Sequence, residues 1–268
     1  MLSFKIFKMK NIFTSLLFVF VVLISCTTET DEMVNNNPTD NVNTALNRQA
    51  TGSSANDLLS DSSFKKIIVE VGYIEGFKPS ETALNNFKNF IINRAHKSQE
   101  VEFKTKEIAP TGKEVYTLDE VVNLEKQHRT QYNIGSTISI WVLFIDGKSS
   151  NDTNSGAVLG SAYWNTSFVI YEKTIHGLSN SPFEPNRSLL ETAVINHEFG
   201  HLLGLTNLGT NLQSDHEDTE HPKHCNVESC LMFWAAETSQ GIGNMLSGGQ
   251  APTLDAQCLA DLKANGGK

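Results

Sequence analysis

Two histidines four residues apart, with a glutamate beside the first, form the string richest in chemistry in this chain: His197-Glu198-Phe199-Gly200-His201. On a helix, positions i and i+4 project from one face about a turn apart, so both imidazoles can reach a single metal ion. Zinc suits such donors. Glu198, next to the first imidazole, is then set to take a proton from water without itself binding the metal. The same string could sit on an amphipathic helix with two surface histidines. Gly200 argues against that, because glycine weakens a helix interior by about 1 kcal/mol unless close packing or a ligand needs the space. Five of the eight histidines (His197, His201, His216, His221 and His224) fall within one stretch of 28 residues.

Residues 224–232 read HCNVESCLM. HEFGHLLGL followed by a later histidine and a methionine resembles the metzincin clan of zinc endopeptidases, and the His-Cys-x4-Cys-x-Met string is most similar to archaemetzincins. The resemblance spans roughly residues 185–262. It implies a metzincin-like zincin fold of the α/β (α+β) class, with an active-site helix and a Met-turn subdomain, Met232 lying in a tight turn beneath the metal. It also implies one catalytic Zn2+, Glu198 as general base, a protein or peptide substrate, and Gly160, Ser161 and Ala162 on an edge strand that pairs with extended substrate.

Two positions depart from the clan's pattern. Its third histidine falls three residues after the glycine, where this chain has Asn207, a neutral amide and a poor zinc ligand. A His-Cys pair appears instead at 224–225, as though 17 residues had been inserted after Gly204. His224 combines an imidazole with the eight-residue spacing to Met232 seen in matrix metalloproteinases. His221 and His216 are the alternatives, 11 and 16 residues from Met232. Archaemetzincins also hold a second zinc with four cysteines. Here Cys225, Cys230 and Cys258 are present, with Asp261 where the fourth would stand. In an oxidising compartment a disulfide plus one spare thiol is the expected reading, and a second metal the other.

Weaker signals surround this core. Trp164, Phe233 and Trp234 suit either a specificity pocket or ordinary packing. Asp215, Glu217, Asp218 and Glu220 suit either a solvated acidic loop or a calcium ion. His96, His128 and His176 show no partner pattern. No serine-nucleophile elbow or catalytic-cysteine signature competes.

The elements that must position these groups are legible upstream. Residues 65–73 (KKIIVEVGY) are β-branched and predict a strand. Residues 80–94 carry Leu84, Phe87, Phe90 and Ile91 at helical spacing. A strand at 101–108 and a helix opening at Thr117 follow. The unbroken apolar run 138–145 (ISIWVLFI) predicts a strand buried on both faces. Two shorter β-rich pieces, 159–163 and 167–171, precede the histidine helix, which a Ser188-x-x-Glu191 capping box should open and Gly204 should close. Alternating strands and helices predict a twisted, mostly parallel sheet of about five strands.

Composition bounds the rest. The chain has 268 residues, 39% of them hydrophobic and 19% charged, in the range of a globular protein. Its net charge of −9 excludes a nucleic-acid partner, which needs a basic footprint. Lys5, Lys8 and Lys10 precede an apolar run over 12–24 of signal-peptide length. Leu23-Ile24-Ser25-Cys26 resembles the lipobox of bacterial lipoproteins, whose cysteine is lipidated. The expected organisation is a signal peptide over 1–25, a flexible tether over 26–62 that is poor in apolar residues, and a monomeric catalytic domain over 63–268. The expected location is an outer-membrane lipoprotein, at the periplasmic face or the cell surface. Glu29, Asp31 and Glu32, just after the lipid site, resemble the surface-export signals of some such proteins. Two functions fit: a lipid-anchored zinc endopeptidase, and a non-proteolytic surface lipoprotein using the same scaffold for binding or adhesion.

Overall fold

The computed structural model describes residues 42–179, 181–182 and 184–268. The expected signal peptide, Cys26, the acidic trio at 29–32 and the first part of the expected tether lie outside these residues. The fold is mixed α/β. Its sheet contains β1 (Lys66–Ile74), β2 (Val101–Ile108), β4 (Thr137–Phe144), β6 (Gly160–Trp164) and β7 (Ser167–Ile170), in the order β2-β1-β4-β7-β6. All neighbours are parallel except β6, which runs antiparallel to β7 and forms one edge. Two short strands, β3 (Val115–Tyr116) and β5 (Lys148–Ser149), pair separately. This matches the five-strand, mostly parallel sheet expected from the sequence.

Alternation along the strands sorts the side chains between two apolar layers. Ile67, Val69, Val71, Ile140, Val142 and Phe168 share a core with Phe87 and Ile91 of α2 (Glu81–Arg94) and with Ile195 and Phe199 of α5 (Arg187–Leu202). Trp141, Leu143 and Val169 face the opposite way and pack with Val121 and Leu124 of α3 (Leu118–His128). Burial of the central strands on both faces explains why the 138–145 run is continuous rather than alternating. Gly72 makes room for Trp141, whose ring would lie 2.6 Å from any Cβ placed there.

Residues 42–62 differ from the expectation of a flexible tether. They contain a 3-10 turn (Thr44–Asn47) and the short helix α1 (Ala55–Leu59), with Leu58 and Leu59 fully buried. Asn47 is buried too. Its amide donates to Asn133 Oδ1 at 2.8 Å and to Thr166 Oγ1 at 3.1 Å, and its own oxygen accepts from the Asn133 N–H at 2.9 Å. Such a segment is anchored by specific amide hydrogen bonds, which a count of apolar residues does not register.

The start of α5 is a second difference. Thr117 does form a capping box with Glu120 at α3, but Ser188 and Glu191 form none. Asn186 caps α5, accepting from the Ser188 N–H at 2.9 Å, and Glu191 turns to Ser80, accepting from its N–H at 3.0 Å and from its hydroxyl. Glu191 thereby joins α5 to the N-terminus of α2 rather than closing its own helix. The other end follows expectation: Gly204 takes the left-handed conformation at φ +72° just beyond the helix. The remaining helices are α4 (Glu172–Gly177), α6 (Ile242–Met245) and α7 (Ala256–Ala264). No helix among the described residues is long and apolar enough to cross a membrane.

Candidate active site

Helix α5 is buried from Leu190 to Leu202, so His197, Glu198 and His201 point into the protein rather than into bulk water. The chain leaves the helix at Gly204 and makes an excursion over 205–223. Thr206 closes the neck of this loop by donating its hydroxyl to the Lys223 carbonyl, which returns His224 to the helix. His197, His201, His224 and Glu237 then form one group, each offering a ligand atom within 4.8 Å of the others. The Nε2 atoms of His197 and His201 are 3.1 Å apart.

Outer partners orient the rings. His197 Nδ1 donates to the Leu231 carbonyl at 2.7 Å, and His224 Nδ1 to the His221 carbonyl at 3.3 Å. A ring nitrogen against a carbonyl must carry the proton, so Nε2 keeps the lone pair in both rings. Lone pairs aimed at one point repel unless a cation lies between them. Burial adds to this, pushing the His201 imidazole down to about 4 against the opposing effect of the Glu237 carboxylate. A neutral, lone-pair-bearing imidazole is the form that binds a metal. Four-coordinate zinc at about 2.0–2.1 Å from its ligands sets them about 3.3 Å from one another, so this donor set fits zinc.

Glu198 has a different setting. It is fully buried, and neither carboxylate oxygen has a hydrogen-bond partner. Burial first, and the charge of Glu237 second, push its carboxyl well above the usual range. A cation among the histidines would reverse that preference and favour the carboxylate. Gly160 of β6 makes the space it occupies, since a Cβ at Gly160 would stand 2.6 Å from Glu198 Oε1. Gly200 is required for a parallel reason on the opposite side. Its Cβ would meet Met232 Sδ at 2.3 Å, so the methionine packs against the helix backbone between the two histidines.

A cleft of about 200 Å3 opens onto the site, lined by Ser161 and Ala162 of β6, by Glu198, His201, His224 and Glu237, and by Leu208 and Lys223 from the excursion. Among the described residues no further strand of the sheet covers β6 on this side. The sheet edge and the glutamate therefore border the same opening.

The competing sequence candidates are elsewhere. Asn207, at φ +67°, donates its amide to Glu217 Oε2 at 3.1 Å. His221 stacks on Trp234 with centroids 4.4 Å apart and bonds Asp218 at 2.8 Å. Trp164 packs on Tyr163, and Phe233 and Trp234 border a separate hollow of about 440 Å3. The acidic loop forms no calcium cage among the described residues: Glu217 accepts from the Lys223 N–H at 2.8 Å, and Asp218 is engaged with His221 and the Glu220 N–H.

His216 belongs to a second cluster, with Cys225, Asp255 and Cys258, whose ligand atoms all lie within 4.8 Å of one another. Its Nε2 donates to Asp261 Oδ2 at 2.8 Å, which leaves Nδ1 facing Cys225 Sγ at 3.5 Å and Cys258 Sγ at 4.0 Å. Cys230 Sγ lies 3.6 Å from Cys258 Sγ, and all three cysteines are buried free thiols rather than a disulfide and a remainder. Hydrogen bonds from Cys225 and Cys258 hold the Cys230 thiol down to about 3, and the same contact with Cys230 pushes Cys225 up to about 12. Asp261, in the place of a fourth cysteine, instead orients the imidazole that completes the set. Sequence spacing missed His216 here, because the histidine comes from inside the excursion, nine residues before Cys225.

Comparison with known proteins adds one structural likeness. No protein-family model and no curated protein matches the chain. Among solved structures, archaemetzincin from Methanopyrus kandleri is similar at a TM-score of 0.47 and 14% identity, over 75% of this chain and 96% of that one. Glu237 is the member of the histidine group that sequence reasoning did not find. It is a lone carboxylate five residues after Met232, with no spacing rule to mark it.

Proposed function

We propose that this protein is a zinc-dependent endopeptidase, with His197, His201 and His224 holding the catalytic ion and Glu198 acting as general base. One observation carries the reading: three imidazole nitrogens converge beside a buried, unpartnered carboxylate, on a cleft bordered by an open sheet edge. Bound zinc would act as a Lewis acid on the scissile carbonyl and would acidify the attacking water. Glu198 takes the proton of that water and delivers it to the departing amine. Backbone groups of Ser161 and Ala162 hold an extended peptide by strand addition. The leading alternative, a binding or adhesion module, has no use for Glu198. Keeping an unpartnered carboxylate in the interior costs stability, which a general base justifies and a binding surface does not.

The reading includes a second, structural zinc held by His216, Cys225, Asp255 and Cys258, whose ligand atoms all lie within 4.8 Å of one another. Two thiols, an imidazole and a carboxylate are four zinc donors that close the site, and Asp261 supplies the outer carboxylate that zinc-bound histidines usually have. Metal analysis and a casein digest test both sites together. The full chain should carry two zinc ions, and a chelator should abolish hydrolysis. His216→Ala should lose one ion and melt at a lower temperature. Chelator-resistant hydrolysis would refute the metallopeptidase, and an unchanged zinc count in His216→Ala would refute the second site.

Membrane anchoring through lipidated Cys26 completes the proposal, at either face of an outer membrane. Cys26→Ser should move the protein from the membrane to the soluble fraction and remove incorporated acyl label. Continued membrane fractionation without label would refute the anchor.

A further inference from the structure

We propose that Glu237 is a fourth protein ligand of the catalytic metal, so that the resting site is closed and opens only when an incoming ligand displaces this carboxylate. The inference rests on the metal centre proposed above and assigns a function to a residue that the peptidase chemistry does not use.

The carboxylate straddles the three imidazoles. Glu237 Oε1 is 3.2 Å from His224 Nε2, and Oε2 is 3.7 Å from both His197 Nε2 and His201 Nε2. These separations are close to the roughly 3.3 Å expected between ligands of one tetrahedral zinc. Glu198 is adjacent in sequence to a ligand yet stands outside this group. The two glutamates therefore divide the work: Glu198 is fully enclosed and unpartnered, whereas Glu237 faces the histidines and its side chain is 26% exposed.

The backbone holds Glu237 there. It ends the 3-10 turn Trp234–Glu237, and its carbonyl accepts from the Leu159 N–H at 2.8 Å. Thr238 bridges to Val158, and the Ser239 N–H donates to the Ala157 carbonyl at 2.8 Å. The chain leading into β6 thus clamps the segment that aims the carboxylate. The side chain, at the mouth of the cleft, is the part of Glu237 that this clamp does not hold.

Closure has a chemical consequence. A catalytic zinc keeps one position open, and a structural zinc has four protein ligands. A carboxylate in the fourth position both fills it and removes one unit of the net charge that three neutral imidazoles leave on the ion. The site would be self-inhibited by a carboxylate of its own domain. A carbonyl or anion entering along β6 would compete with Glu237 for the metal.

Cobalt substitution tests this without relying on hydrolysis. The full chain, Glu237→Gln and Glu237→Ala would each be loaded with Co2+ and titrated with azide, followed by visible absorption. The second site, with four protein ligands, is saturated and should not respond, so any change reports the histidine site. His201→Ala serves as the control that abolishes the response. If the open form is about a tenth of the population or less, azide should bind both Glu237 variants at least ~10-fold more tightly than the wild type. Equal azide affinity in wild type and variants would overturn the fourth ligand while leaving the metal centre intact. Absence of an azide response in every protein, with cobalt content unchanged by His201→Ala, would overturn the metal centre and Glu237 with it. The glutamine variant preserves shape, so a folding defect confined to the alanine variant does not confuse the result.

Discussion

Glu198→Gln should keep its full zinc content and lose hydrolysis by about 10²–10⁴-fold, the range a positioned general base contributes. Zinc is retained because Glu198 is not among the four groups whose ligand atoms converge, and the glutamine fills the same space beside Gly160. The fold should tolerate the change. Neither oxygen of Glu198 has a partner to lose, and replacing a buried unpaired acid by an amide lowers rather than raises the cost of burial. A thermal melt equal to or above the wild type, together with an unchanged metal count, would locate the loss in chemistry rather than in folding. Wild-type turnover in this variant would remove Glu198 as the base and favour the binding-module alternative.

His224→Ala should lose zinc affinity and hydrolysis together, whereas Asn207→Ala should retain both. Removal of an outer partner of a metal ligand already costs about 10–100-fold in affinity, so loss of one of three imidazoles should exceed ~100-fold. Asn207 is directed at Glu217, away from the histidine group, so its truncation costs only an exposed hydrogen bond. Competition with a zinc-sensitive dye would measure the affinities, and the casein digest the activity. Normal zinc binding and cleavage by His224→Ala would mean that the excursion returns a different ligand to the helix.

The physical reasons for what could be read early are specific. Residues 138–145 lie in a strand covered on both faces, so an unbroken apolar run was a direct record of their environment. The helical spacing of Leu84, Phe87 and Ile91 recorded their burial against the sheet. The pair His197 and His201 was legible because one helical turn alone puts them together, whatever the rest of the chain does. Each of these features depends on neighbours within about ten residues.

Features that depend on distant chain were not legible in the same way. Asn47 is held by Asn133 and Thr166, 86 and 119 residues away, so a polar stretch that composition assigns to a tether is partly folded. Ser188 and Glu191 have capping-box spacing, but Ser80 offers Glu191 a partner on another helix, and Asn186 takes over the cap. His216, His221 and His224 are equally good zinc ligands as residues, and a loop of this length can return any of them to α5 at little difference in closure entropy. Local sequence therefore determined the five main strands, the histidine helix and the first two members of the candidate metal group. Tertiary structure decided which histidine joins them, that His216 goes to the thiols, and that Glu237 faces the three histidines, because each of those choices is made by contacts between segments that no spacing along the chain encodes.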